Sequence, residues 1–106
     1  MKLLTKEIVN KFRKTGRQDK DPIIIAKFFY PLGAGTWYAT EYDEESKLFY
    51  GFCDFFGDPT CAEWGDFSLE EFEDFNRDRM VGIERDIYFG YQRVSECKEI
   101  QKRMGK

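Results

Sequence analysis

The sequence predicts an α+β domain: an antiparallel-dominated β-sheet, built as a meander, with N-terminal, middle and C-terminal helices packed against it. Three observations carry this. Runs of β-branched and aromatic residues at 23–30, 36–42 and 48–56 follow one another through short turn sequences, as hairpin-linked strands do. The stretch "WGDFSLEEFEDF" at 64–75 holds two helix-start signals in one register. Amphipathic segments at both ends complete an order of helix, meander, helix, strand, helix. A length of 106 residues fits a single domain spanning 1–106.

Residues 4–15 read as the first helix. Thr5 suits the N-cap, Glu7 falls in the first turn, Ile8 and Phe12 lie one turn apart, and Gly16 stops it. "IIIAKFFY", 23–30, is apolar on both parities, as a strand covered on two faces would be. Pro31 ends it and "PLGAG" turns the chain into "TWYATEY", 36–42. "DEESK" closes a hairpin into "LFYGFCDFF", 48–56, where Gly51 and the density of rings argue against a buried helix. "GDPTCAE" reads as a loop with an Asx-type turn at Asp58.

Ser68 is then an N-cap and Glu71 is N3, which makes a capping box. Phe67 and Phe72 occupy the two positions of a hydrophobic staple. Leu69, Phe72 and Phe75 or Asn76 line one helix face, and the acids fall mostly elsewhere, in the first turns, where the macrodipole favours them. "IERDIYF", 83–89, reads as a strand with Ile83, Arg85, Ile87 and Phe89 on one side. A last helix starts at Ser95, with Glu96 and Glu99 early and Lys102 and Arg103 late.

Composition excludes more than it assigns. Aromatics make up 18% of the chain, enough for a firm core in a small domain. No apolar run approaches the roughly 18 residues a membrane span needs. "MKLLTKEIVNKF" lacks a signal-peptide core, so a cytoplasmic location is expected. The three cysteines form no CxxC pair, and there is no histidine, the commonest metal ligand and general base. No phosphate-binding, nucleophile-elbow or zinc-protease motif is present, so neither catalytic residues nor a cofactor or metal is expected.

Charge is laid out unevenly. Residues 1–40 hold eight Lys and Arg against three acids; residues 41–78 hold thirteen acids against two bases; residues 79–106 hold seven bases against four acids. Glu44, Glu45, Asp58, Glu63, Glu70, Glu71, Glu73 and Asp74 are the candidate acidic interaction surface, expected to be contiguous and away from the first helix. A second candidate is a polar cluster within the apolar strands: Lys27, Glu41, Asp54 and Arg85. A charge there must be paired. Arg85 is expected to be held by a carboxylate, Asp54 first and Glu41 second, in a structural role.

Five stretches carry a family resemblance: "LLTKEI" at 3–8, "DPIIIAKFFYP…TWYATEYD" at 21–43, "YGFCD" at 50–54, "GDFSLEEFE" at 65–73 and "IERDIYF" at 83–89. Their order and spacing resemble the uncharacterised bacterial and phage family called domain of unknown function 2958, matching least well at the C-terminal helix. The resemblance implies a mobile-element setting and supplies no mechanism or catalytic residue. The expectation is a small cytosolic non-catalytic protein that acts on another protein through an acidic surface, with an accessory or anti-defence role. Nucleic acid and membrane are not expected partners. The alternative is a small-ligand-binding protein or enzyme using the charged cluster in the sheet.

Overall fold

The computed structural model describes residues 2–55 and 62–104. Helix α1 (Lys6–Thr15) starts where Thr5 Oγ1 accepts from the Ile8 amide at 3.2 Å, and ends at Gly16, whose φ of 65° suits glycine. Strands β1 (Ile23–Ile24) and β2 (Ala26–Phe29) follow, then β3 (Gly35–Asp43), β4 (Leu48–Phe55), β5 (Ala62–Ser68), α2 (Leu69–Asn76), β6 (Glu84–Arg85), β7 (Gln92–Arg93), one 3₁₀ turn (Val94–Glu96) and α3 (Lys98–Arg103). The main sheet is antiparallel throughout, in the order β5-β4-β3-β2-β6, and β1 pairs with β7 in a small ribbon. The α+β architecture is therefore as the sequence predicts.

Both sheet faces are buried, by different means. Phe28, Trp37, Phe49, Cys53 and Phe67 face α1 and α2 and meet Phe12 and Phe72 there. Phe49 is the hub of this side, with ring centroids 4.7 Å from Tyr42, 5.1 Å from Phe28 and 5.1 Å from Phe67. On the other face Tyr38 and Phe52 meet Ile24, Val94, Cys97 and Ile100. Ser68 caps α2 by accepting from the Glu71 amide at 3.2 Å, and Phe67 packs on Phe72 at 5.7 Å, so the N-cap and the staple form. Among the described residues no return bond runs from the Ser68 amide to the Glu71 side chain, so the expected capping box is half made.

Four elements differ from the expectation. The run 23–30 is two strands, because the amide of Ile25 leaves the ribbon to bond the Ala39 carbonyl at 2.8 Å. Residues 62–68 form a fourth meander strand where a loop was expected to run on to Glu63. Its Gly65 and two acids weaken the strand pattern, which an edge position tolerates. The run 83–89 is a strand only at Glu84–Arg85; Asp86 Oδ1 then accepts from the Tyr88 amide at 3.0 Å and turns the chain. Ile87 is consequently exposed rather than sharing a buried side with Ile83. The final helix begins at Lys98, after the 3₁₀ turn that takes up Ser95. The expected turn at Asp58 lies outside the described residues.

One register shift shapes the sheet. Ala39 pairs with Gly51 but Glu41 pairs with Tyr50, so Thr40 is an extra residue in β3. The bend brings backbone against Gly51: a Cβ there would lie 1.8 Å from the Tyr38 carbonyl oxygen. Its cross-strand partner Gly65 has nothing within 4 Å of the same position. Gly51→Ala is therefore expected to lower stability by about 3 kcal/mol or more, the upper end for overpacking. Gly65→Ala should change it by less than about 0.5 kcal/mol. Urea unfolding of both variants checks the pair, and equal losses would refute the bulge as the cause.

Candidate functional site

Strand order decides what the four polar cluster residues can do. Cross-strand partners share a face, so Lys27, opposite Tyr38, and Asp54, opposite Thr36, both point to the α3 side. Each meets a charge from α3 one helical turn apart. Lys27 Nζ lies 2.8 Å from Glu99 Oε2 and 3.8 Å from Asp86 Oδ2, above the rings of Tyr38 and Phe89. Tyr38 donates its hydroxyl proton to the same Glu99 oxygen. Asp54 Oδ2 lies 3.0 Å from Arg103 Nε. This second pair is poorly aligned: Asp54 Oδ1 and Arg103 Nε and Nη2 are buried without a fitted hydrogen bond among the described residues. Burial pushes the Tyr38 hydroxyl up, and the Glu99 contact adds to it. Burial also raises Glu99, but hydrogen bonds from Lys27 and Tyr38, with the lysine charge, outweigh it and hold the carboxyl below its ordinary value.

Arg85 takes no part in this, contrary to expectation. It pairs with Phe28 across β2, which puts it on the α1 and α2 side of the sheet, and β2 and β3 stand between it and β4. At about 4.8 Å per strand that distance alone keeps it from Asp54. Its Nη1 donates instead to the carbonyls of Lys2 at 2.7 Å and Leu3 at 3.1 Å, tying the N-terminus to β6. Glu41 accepts from the Gln18 amide at 3.0 Å, and the Gln18 side chain bonds Ile23 and the Thr40 carbonyl, so Glu41 pins the 17–22 loop to the bulge. Lys27 and Arg85 do line one cavity of about 280 Å³; Glu41 and Asp54 do not.

Several of the acids, though not Glu63, which lies opposite Cys53 toward the other end of β5, gather at the hairpin end of the sheet. A hollow of about 750 Å³ there is lined by Glu41, Asp43, Glu44, Glu45 and Asp66, with Tyr50 half exposed among them. The first helix is not away from it: Arg13 Nη2 and Nε bond the two Glu44 oxygens at 2.7 and 3.1 Å, and Arg17 lines the same wall. Acids of α2 join the group. The Tyr42 phenol is raised first by burial and then by the charges of Glu44, Glu73, Asp43 and Glu70.

The acids divide by whether the fold uses them. Asp43 accepts from the Ser46 hydroxyl at 2.6 Å and orders the hairpin turn. Glu44 holds Arg13, and Asp74 holds Arg77 at 2.6 Å. Glu45, Glu63, Asp66, Glu70, Glu71 and Glu73 are exposed, and no side-chain hydrogen bond or ion pair engages them among the described residues. Asp58 lies outside the described residues.

Sequence reasoning missed Tyr38, Glu99, Arg103 and Gln18. The signal for two of them was present: opposite charges at i and i+4 in the last helix, facing single opposite charges in two strands. Cys53 is buried, which disfavours its thiolate. Burial, then the charges of Glu63 and Asp66, pushes its thiol up to about 12. Among the described residues no three His, Cys, Asp or Glu side chains are placed to hold a metal ion, and no helix is long and apolar enough to cross a membrane.

A family model described as "Protein of unknown function (DUF2958)" matches residues 2–106. No curated protein and no solved structure matches the chain.

Two outcomes are expected. Because the Glu99 carboxyl is lowered in the fold, its stabilising effect is complete above the unfolded value, near pH 4.3, and is lost as pH falls through the folded value. Amide protection in α3, measured as exchange relative to the intrinsic rate at each pH, should therefore fall before that of the sheet as pH drops from about 6 to about 3. Glu99→Gln should show low protection in α3 at every pH. Identical protection profiles in the two proteins would disprove the Glu99 tie between α3 and the sheet. Iodoacetamide at about pH 8 should leave Cys53 unmodified in the folded protein and label it in urea, read by peptide mapping.

Proposed function

The chain belongs to the DUF2958 family, whose description names no activity, and we propose that this member is a small cytoplasmic, non-catalytic interaction protein that receives a basic partner protein at its acidic end. The carrying observation is the division among the acids. Glu45, Asp66, Glu70 and Glu73 crowd one end of the molecule, exposed and engaged by no side-chain hydrogen bond or ion pair among the described residues, beside the open hollow that holds the half-exposed Tyr50. Uncompensated like charges cost a fold stability, and a cationic partner is what relieves them. The mobile-element setting implied by the sequence resemblance fits an accessory or anti-defence role for such a surface.

A ligand-binding or enzymatic reading has one point in its favour, the small cavity that Lys27 and Arg85 share. Both cations are already held there, Lys27 by Glu99 and Arg85 by backbone carbonyls. The interaction reading is therefore the better supported.

Pull-downs from the native host, with parent protein and a Glu45→Gln, Glu70→Gln, Glu73→Gln triple variant, test it. A partner retained at low salt should be lost as salt rises, because exposed charges are screened beyond roughly 10 Å at 0.1 M. It should also be lost with the triple variant. Retention unchanged by salt and by the triple variant would rule the acidic surface out.

A further inference from the structure

Strand β5 is the long edge of the sheet: it pairs with β4 on one side, and no described residue hydrogen-bonds to its other side. The ladder fixes which groups point outward. The Leu69 amide bonds the Lys47 carbonyl at 3.0 Å, in the same register that pairs Phe67 with Phe49. Hydrogen-bonded pairs alternate along an antiparallel ladder. Glu63, Gly65 and Phe67 therefore turn their backbone groups toward β4. Ala62, Trp64 and Asp66 turn theirs outward, as donors and acceptors for a further strand.

The side chains along this edge are selective. Asp66 and Trp64 lie on the α3 face of the sheet: Trp64 packs at the rim of the apolar cluster that α3 covers, its ring 5.5 Å from that of Phe52, and Asp66 lies one pair further along the strand, exposed. Trp64 stacks on Tyr50 at 6.1 Å, and Tyr50 sits directly between Glu41 and Asp66 in one cross-strand row. On the opposite face Glu63 is exposed, and Gly65 leaves open space. A second copy of this chain is a poor occupant. Two such edges in one short ladder would set two Glu63 and two Asp66 carboxylates together, and like charges across a ladder repel.

We infer that β5 accepts an extended basic segment of a partner protein as a sixth strand, by main-chain pairing at Trp64 and Asp66. The segment has a basic residue opposite Asp66, a large apolar one opposite Gly65, an apolar one opposite Trp64 and a basic one opposite Glu63. This rests on the acidic-surface reading and names its mode: the edge supplies the affinity, and the carboxylates choose the sequence. The acids then serve both as recognition groups and as the guard against self-pairing.

The test uses the peptide acetyl-Thr-Arg-Phe-Val-Arg-Thr-amide and its analogue with Glu for both Arg. With the parent protein, the basic peptide should slow amide exchange at Trp64 and Asp66 by at least about tenfold, while the acidic analogue leaves both unchanged. Asp66→Asn should weaken binding several-fold. Asp66→Pro removes the outward N–H as well, a change edge strands tolerate, and should weaken it at least about tenfold further. If Asp66→Pro binds like Asp66→Asn and the two amides gain no protection, strand addition is wrong while a charge-only acidic surface stands. If neither peptide binds, or both bind alike, the basic specificity is overturned. Concentration-dependent protection of the two amides without peptide would mean the edge takes a second copy, which also overturns it. Should Asp66→Pro fail to fold, seen in near-ultraviolet circular dichroism, the exchange measurement on the parent decides alone.

Discussion

The extra residue at Thr40 is the constraint on which the rest of the sheet depends. Side chains alternate along a strand, so a regular β3 would carry Trp37, Ala39 and Glu41 on one face. That face holds Phe49, a fully buried ring. A carboxylate beside it would be desolvated without a partner, at a cost of several kcal/mol. Inserting Thr40 moves Glu41 to the other face and Tyr42 into the aromatic cluster, where its ring lies 4.7 Å from that of Phe49. The inserted residue is itself fully buried and satisfied. Its hydroxyl donates to the Tyr50 carbonyl at 3.2 Å, and its carbonyl accepts from Gln18 at 2.8 Å. Gly51 is glycine because the bulge leaves no room for anything larger.

The two faces then solve burial differently. Against α1 and α2 the sheet presents rings, and packing alone suffices. Against α3 it presents Tyr38 and Phe52 beside two charges, Lys27 and Asp54, under a helix of six residues. Such a helix is too short to hold itself together. Ile100, Cys97 and Val94 give it a small apolar footing, and the charges of Glu99 and Arg103 fix its angle at both ends. The C-terminal ribbon adds a tie of its own, since Asp21 accepts from both the amide and the hydroxyl of Ser95. The half-exposed Lys27–Glu99 pair adds little energy, and the attraction in the more buried Asp54–Arg103 pair goes largely to offset desolvation. Their use here is orientation.

What was legible in the sequence was local. Caps act within four residues, so Thr5 and Ser68 could be placed as N-caps from composition and spacing, and the staple of Phe67 on Phe72 came with the second. Three of the meander strands were legible because their rings and β-branched residues sit between clear turns. β5 was not: glycine and two acids hide its pattern, and only its neighbour β4 makes it a strand. The partners of Arg85 and Asp54 were illegible for a stronger reason. Which charges meet depends on strand order and face, and both are set by contacts dozens of residues apart. Parity alone put Arg85 inward correctly, beside Phe28, yet on the face away from Asp54. Glu41 was misread for the same reason, since a one-residue bulge reverses every parity after it.

The bulge also links the fold to the surface. By turning Glu41 to the α3 face, where Tyr50 already lies by the alternation of β4, it leaves a stretch of sheet with an aromatic floor and carboxylates on either side of it. A bare apolar stretch next to an open strand edge would invite aggregation. Carboxylates at Asp66 and Glu63 make that same edge repel its own copies, and the aromatic pair remains available to a cation, which is drawn by both the carboxylates and the ring faces. Stability is spent on the mutual repulsion of these acids. Yet the aromatic core on the opposite face does not depend on them, and so the surface can carry charges that the fold has no use for.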